Sequence, residues 1–164
     1  MLTYDVVKKL LQEGRSPYLD RYQNLVKNYR YIVGPHLINQ NHWLALIIDL
    51  ETSRFFLLDP LLMESPLLKF AEESWTRYYF SRKDHDKNTK WNDPNNYRTV
   101  YNQRSLQSDN FNCGVYVIKY ITTYVITGNF TFDNNDGDLS MARELIATTI
   151  ETYQNDNSVD SDQS

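Results

Sequence analysis

The sequence predicts an α+β domain, and three observations carry that prediction. Two nearly continuous apolar runs, WLALIIDL (43–50) and RFFLLD (54–59), flank the short turn Glu51-Thr52-Ser53. A stretch of β-branched and tyrosine residues, CGVYVIKYITTYVIT (113–127), is long for a strand and repeats its apolar residues at helical spacing. Helix-like segments lie both before and after the apolar runs, and this mixture of strands and helices defines the α+β class.

Each element follows from local pattern. Residues 4–13 carry Val6, Val7, Leu10 and Leu11 on one helical face, and Gly14 is the expected stop. A second helical stretch is expected near Leu19 to Tyr29. Tyr31 to Val33 reads as a short strand ended by Gly34-Pro35. The run 43–50 has the composition of a strand covered on both faces. Residues 54–59 form its hairpin partner, ended by Pro60. Pro66 to Tyr79 is expected to be helical, with Leu67, Leu68, Phe70 and Trp75 as its apolar face. The polar residues 81–96 read as a loop and Tyr97–Tyr101 as a further strand. In the stretch 113–127, Val115, Ile118, Ile121 and Val125 share a face, and Tyr116, Tyr120 and Tyr124 form a second stripe. A mostly buried helix ending at Gly128 is expected. Ser140 is a candidate cap for a last helix over 141–153. One domain is expected over 1–153, with 154–164 a disordered acidic tail.

Composition narrows the function classes. The chain has 164 residues, long enough for a core that needs no disulfide. Cys113 is the only cysteine, so no intrachain disulfide and no four-cysteine zinc site can form. The three histidines, His36, His42 and His85, lack the spacing of a zincin, and no metal or other cofactor is expected. The balance of 17 basic against 21 acidic side chains argues against general nucleic-acid binding. No apolar run is long enough for a membrane span, and the charged first residues do not form a signal peptide. A reducing intracellular compartment and a monomer are the expectation.

The chemistry-bearing residues cluster in pattern. Cys113 opens the predicted helix 113–127, where unpaired N–H groups and the positive dipole end favour thiolate over thiol. Asn112 stands where it can cap that helix, and Gly114 leaves room for close approach. Position alone leaves Cys113 open to a second reading, as a small buried hydrophobe. His42 starts one hairpin strand and Asp59 ends the other, so an antiparallel pairing brings them to the same sheet edge. There an aspartate can hold an imidazole in one tautomer, and the imidazole can draw the proton from a thiol. Asp59 is also a common residue before a proline turn, and His42 alone reads equally as a solvent-facing strand end. Gln107, shortly before Cys113, is either a solvated loop residue or a donor to a developing oxyanion. His36, in a turn, and His85, in the run RKDHDK, are expected at the surface. Trp75 is expected in the core, and Trp91 is ambiguous.

NHWLALIIDL, FFLLDP and QSDNFNCGVYV together resemble the ubiquitin-like-protein proteases, the group that contains the SUMO deconjugases. His42-Trp43, Asp59, Gln107 and Cys113-Gly114 match the family order and its His-to-Asp and Gln-to-Cys gaps. MARELIA looks like the family's closing helix, so the resemblance covers about residues 31–153. It implies a papain-like cysteine protease fold, with a central mixed sheet, a buried helix starting at the nucleophile, and flanking helices. It implies cleavage after the C-terminal Gly-Gly of a ubiquitin-like modifier, SUMO-like first, with that modifier and its conjugates as partners. By this resemblance Cys113 is the nucleophile, His42 the base and then acid, and Asp59 its orienter. Gln107 and the Cys113 backbone N–H would form the oxyanion hole. Trp43 would roof a channel that admits only glycine, beside Gly114. Two departures stand out: the family usually has Asp at the place of Asn112, and a second Trp near the N-terminus, where residues 1–40 have none. An acyltransferase on the same residues and a non-catalytic modifier-binding module are the alternative functions.

Overall fold

The computed structural model describes residues 1–22, 24–61, 66–83, 85 and 104–158. The expected strand 97–101 and Trp91 lie outside them. The chain forms two compact units, Met1–Phe132 and Asp133–Ser164.

The first unit is built on a three-stranded antiparallel sheet of order β1-β2-β3, with β1 Tyr31–Ile38, β2 His42–Asp49 and β3 Arg54–Leu58. The expected β2–β3 hairpin forms, with Ala45 opposite Leu58 and Asp49 opposite Arg54. Among the described residues the only parallel pairing is the isolated bridge Arg104–Phe130. Both faces of the sheet are covered, which explains the unbroken apolar runs. Leu44, Leu46, Ile48, Phe55 and Leu57 join a core with α1 (Tyr4–Glu13) and with Trp75, Tyr78 and Tyr79 of the helix Pro66–Ser81, α4. On the opposite face Phe56 packs edge-on against Tyr124 and Phe130. Tyr124 belongs to α5, Cys113–Thr127, the helix expected at those residues. Gly14 and Gly128 end α1 and α5 in left-handed conformation, at φ 60° and 74°.

Several expectations are corrected. The stretch 19–29 is not one helix but two single turns, α2 (Pro17–Asp20) and α3 (Leu25–Asn28). Ser16 Oγ caps the first, and Asn24, left-handed at φ 57°, interrupts the path to the second. Gly34-Pro35 does not end β1. Among the described residues the strand lies at a sheet edge, where proline costs no ladder hydrogen bond, and so it continues. Gly34 serves packing instead: a Cβ there would lie 2.6 Å from Val7 Cγ2 and 3.1 Å from the Leu2 carbonyl oxygen. Phe70 is exposed, because α4 buries the arc through Ala71, Ser74, Trp75, Tyr78 and Tyr79. In α5 the stripe Tyr116, Tyr120 and Tyr124 is buried together with Val115 and Ile121, whereas Ile118 and Val125 are exposed. The tyrosines win the interior because each hydroxyl finds an acceptor: Leu106 O at 3.0 Å, Ser105 O, and Asp49 Oδ2 at 3.1 Å.

His36 is not at the surface but 2% exposed, facing α1 from β1 and stacked on Tyr4. Burial, and then repulsion from Lys8, hold its imidazole below the ordinary pKa. The unfolded chain takes up this proton at about pH 6.5, while the folded chain resists it. His36 therefore contributes stability above that pH which is lost as pH falls. The melting temperature is expected to drop between pH 7 and 5, and His36→Phe is expected to flatten part of that drop. An unchanged slope in the variant would refute the assignment. His85 is half-buried, its Nδ1 against the Arg82 carbonyl and its ring against Tyr79 and Phe80.

In the second unit, α6 runs Asp136–Ser158 and starts before the expected Ser140. Asn135 supplies the cap: its Oδ1 accepts the Asp138 N–H at 2.9 Å, and its carbonyl accepts that of Leu139 at 3.0 Å. Asp136 and Asp138 sit in the first turn, where the helix dipole favours negative charge. The helix also passes residue 153 into the segment expected to be irregular. Once nucleated, a helix gains a hydrogen bond for each residue added.

Candidate active site

The hairpin brings His42 and Asp59 together, 17 positions apart in sequence. His42 Nε2 lies 2.8 Å from Asp59 Oδ1, and both residues are buried, at 8% and 4% exposure. A carboxylate only accepts, so Nε2 carries the proton and Nδ1 is the nitrogen not used by this bond. Asp59 Oδ1 also accepts the Leu61 N–H at 2.7 Å across Pro60. The turn role and the histidine-holding role of Asp59 are therefore compatible and are served by one oxygen.

Cys113 is the first residue of α5 and is 7% exposed. α5 lies along β2. At its start a Cβ on Gly114 would be 4.0 Å from Trp43 Cδ1, and near its end Tyr124 bonds to Asp49. Cys113 and His42 are thus chain neighbours of residues that face each other, Gly114 and Trp43. The 4.0 Å distance is ordinary van der Waals contact, so the indole lies over the helix start without forcing glycine there. Tyr4 meets Trp43 edge-on, with ring centroids 6.2 Å apart.

Gln107 is buried rather than solvated, at 8% exposure. Its backbone N–H donates to the Pro60 carbonyl at 2.9 Å, which ties it to the residue after Asp59. The preceding residues are fastened to α5 through the Tyr116 and Tyr120 hydroxyls. They are also fastened to residues 130–132 through Ser105, whose Oγ bonds the Phe132 carbonyl at 2.7 Å. The tyrosine stripe therefore carries the Gln107 loop on the same helix that presents Cys113.

Asn112 occupies the N-cap of α5 but does not cap it with its side chain. Its Nδ2 donates instead to Asp109 Oδ2 at 2.5 Å. Asp109 Oδ1 accepts the Gln107 Nε2–H at 2.9 Å and the Phe111 and Asn112 backbone N–H groups at 2.9 and 2.8 Å. Partial burial alone would raise the Asp109 pKa. The Asn112, Phe111 and Gln107 hydrogen bonds outweigh it, and the carboxyl sits below the usual range. Burial, and then the charge and hydrogen bond of Asp49, push Tyr124 up to about 12, so its hydroxyl stays a donor at neutral pH.

Sequence reasoning missed Asp109, Tyr4 and the anchoring role of the tyrosine hydroxyls. Asp109 had a readable signal, since aspartate often bonds backbone N–H groups two and three residues on. Tyr4 and the hydroxyl acceptors had none, because their partners are distant in sequence. Among the described residues there is no group of three or more His, Cys, Asp or Glu that could hold a metal ion, and no helix long and apolar enough to cross a membrane.

Comparison with curated protein sequences gives no match. Two solved structures of the SUMO protease Ulp1 share the fold. One has its catalytic cysteine oxidised to a sulfenic acid; it is 19% identical, with a TM-score of 0.58, over 92% of this chain and 76% of its own. The other, oxidised to a sulfonic acid, is also 19% identical, with a TM-score of 0.59 over 92% of this chain and 62% of its own. The chain thus spans about three quarters of one and less than two thirds of the other. A model of the Ulp1 protease family, C-terminal catalytic domain, matches residues 14–160. With that match over most of its length and with the Ulp1 fold, the chain belongs to the Ulp1 protease family, as a cysteine-peptidase catalytic domain.

Proposed function

We propose that this domain cleaves after the C-terminal Gly-Gly of a ubiquitin-like modifier, SUMO-like first, through Cys113, His42 and Asp59. The observation that carries the reading is the buried 2.8 Å His42–Asp59 bond beside the helix that begins at Cys113. With Nε2 held by Asp59, Nδ1 takes the thiol proton, and the Cys113 sulfur attacks the glycine carbonyl carbon. The carbonyl oxygen becomes an oxyanion. It is met by the Cys113 backbone N–H, which lies in the first helical turn and has no intrahelical acceptor, and by the second N–H of Gln107. Collapse breaks the carbon–nitrogen bond, and the leaving amine receives the proton from Nδ1. Water then attacks the thioester, Nδ1 takes its proton, and the modifier leaves as a carboxylate while the thiol is restored. Trp43, over Gly114, roofs the path of the tail, where residues without a side chain pass most easily.

The test is labelling with a panel of modifiers that end in a thiol-reactive warhead, with Cys113→Ala as control. One modifier is expected to form an adduct that Cys113→Ala abolishes. An adduct that persists in Cys113→Ala refutes the nucleophile. Tight binding without any adduct refutes the protease reading.

A further inference from the structure

We propose that Asp109 is a positioning residue for the reaction: its carboxylate turns the Gln107 amide so that an N–H faces the developing oxyanion. The inference rests on the proposed role of Gln107 and deepens it.

Between Gln107 and Cys113 the chain folds around one side chain. Asp109 accepts four hydrogen bonds, from Gln107 Nε2, the Phe111 and Asn112 backbone N–H groups, and Asn112 Nδ2, at 2.9, 2.9, 2.8 and 2.5 Å. The backbone of Gln107 is already tied to Pro60, so the direction of its amide is the freedom that remains. An amide can present either its oxygen or its nitrogen to a neighbour, whereas a carboxylate accepts only hydrogen. Asp109 therefore selects the nitrogen end. One Gln107 N–H is held by the carboxylate, and the other keeps a fixed direction on a buried side chain. The same carboxylate accepts from the backbone N–H and from Nδ2 of Asn112, which fixes its own position. Hydrogen bonds hold the Asp109 carboxyl below its usual pKa, so the arrangement persists at neutral pH. Asp109 thus orients the Gln107 amide and need not touch substrate.

Four variants test this: Asp109→Ala, Asp109→Asn, Gln107→Ala and the Gln107→Ala/Asp109→Ala pair. Asp109→Ala is expected to lower kcat about tenfold to hundredfold, less than the ~10²–10³-fold worth of a whole oxyanion donor, and to leave KM within about twofold. Asp109→Asn keeps an accepting oxygen for the same N–H groups and is expected to retain most of kcat. In the Gln107→Ala background, Asp109→Ala is expected to cost almost nothing further, because the group it orients is gone. The pH profile of Cys113 alkylation by iodoacetamide is expected to be the same in all four. Additive losses, a kcat for Asp109→Ala within about twofold of the parent, or a parallel loss of Cys113 alkylation would each overturn the proposal.

A second readout does not depend on turnover or on Asp109→Ala folding. The two side-chain amide protons of Gln107 are expected to be separated by NMR in the parent well beyond those of a solvated glutamine, and to move only part of the way toward that reference in the isosteric Asp109→Asn, which keeps the accepting oxygen without its charge. Unchanged amide shifts would overturn the proposal. If the parent shows no cleavage of any modifier, the proposed function fails, while these shifts still decide the role of Asp109.

Discussion

Asp59→Asn is expected to lower kcat about 10²- to 10⁴-fold, the range for losing a correctly oriented general base. The substitution is isosteric, and the amide oxygen it introduces can still accept the Leu61 N–H that closes the Pro60 turn. What changes is the partner of His42 Nε2. An amide can donate to Nε2, and that favours the tautomer with the proton on Nδ1, the nitrogen assigned to take the thiol proton. An uncharged partner also stabilises the imidazolium less. KM should move little, because Asp59 is buried behind His42. The measurement is steady-state cleavage of the modifier that labels Cys113, alongside a melting curve to show that the variant folds. A kcat within a few-fold of the parent would remove Asp59 from the mechanism.

Trp75→Ala is expected to have the largest effect on stability, a loss of about 3–5 kcal/mol. Trp75 is wholly buried in α4, with Tyr78 and Tyr79 rings at 5.8 and 5.9 Å, in the core that joins α1, α4 and one face of the sheet. Its removal leaves a cavity that two helices and a sheet cannot close without shifting against one another. At this chain length the loss corresponds to a fall of about 6–20 °C in Tm. Chemical denaturation should show a lower midpoint with an unchanged slope. A loss under about 1 kcal/mol would mean that the core collapses to fill the space.

The His42–Asp59 pair and the core thus test separate layers of the molecule, and the two layers were not equally legible. The β2–β3 hairpin was readable because a short turn between two apolar runs leaves few other pairings. The meeting of His42 and Asp59 followed from the hairpin, since strand start and strand end share an edge. Cys113 at the head of α5 was readable from helical periodicity and from the glycine that stops the helix. These are local relations, spanned by a turn or by a helix repeat.

Other features depended on packing between distant segments. Gly34-Pro35 reads locally as a break, yet β1 continues, because its edge position among the described residues spares proline a ladder bond and α1 approaches too closely for a Cβ. His36 reads as a turn residue and is buried under Tyr4 for the same reason. The stripe Tyr116, Tyr120 and Tyr124 looked like a second face of the helix. It became the buried face once the loop at 105–106 and Asp49 supplied acceptors for three hydroxyls. Taken alone, the sequence determined the hairpin, the helix that begins at Cys113 and the order of chemical groups, because periodicity and short turns act over a few residues. The tertiary structure alone decided which helix face is buried, how far the edge strand runs and what holds Gln107, because those depend on acceptors and neighbours that only the folded chain brings near.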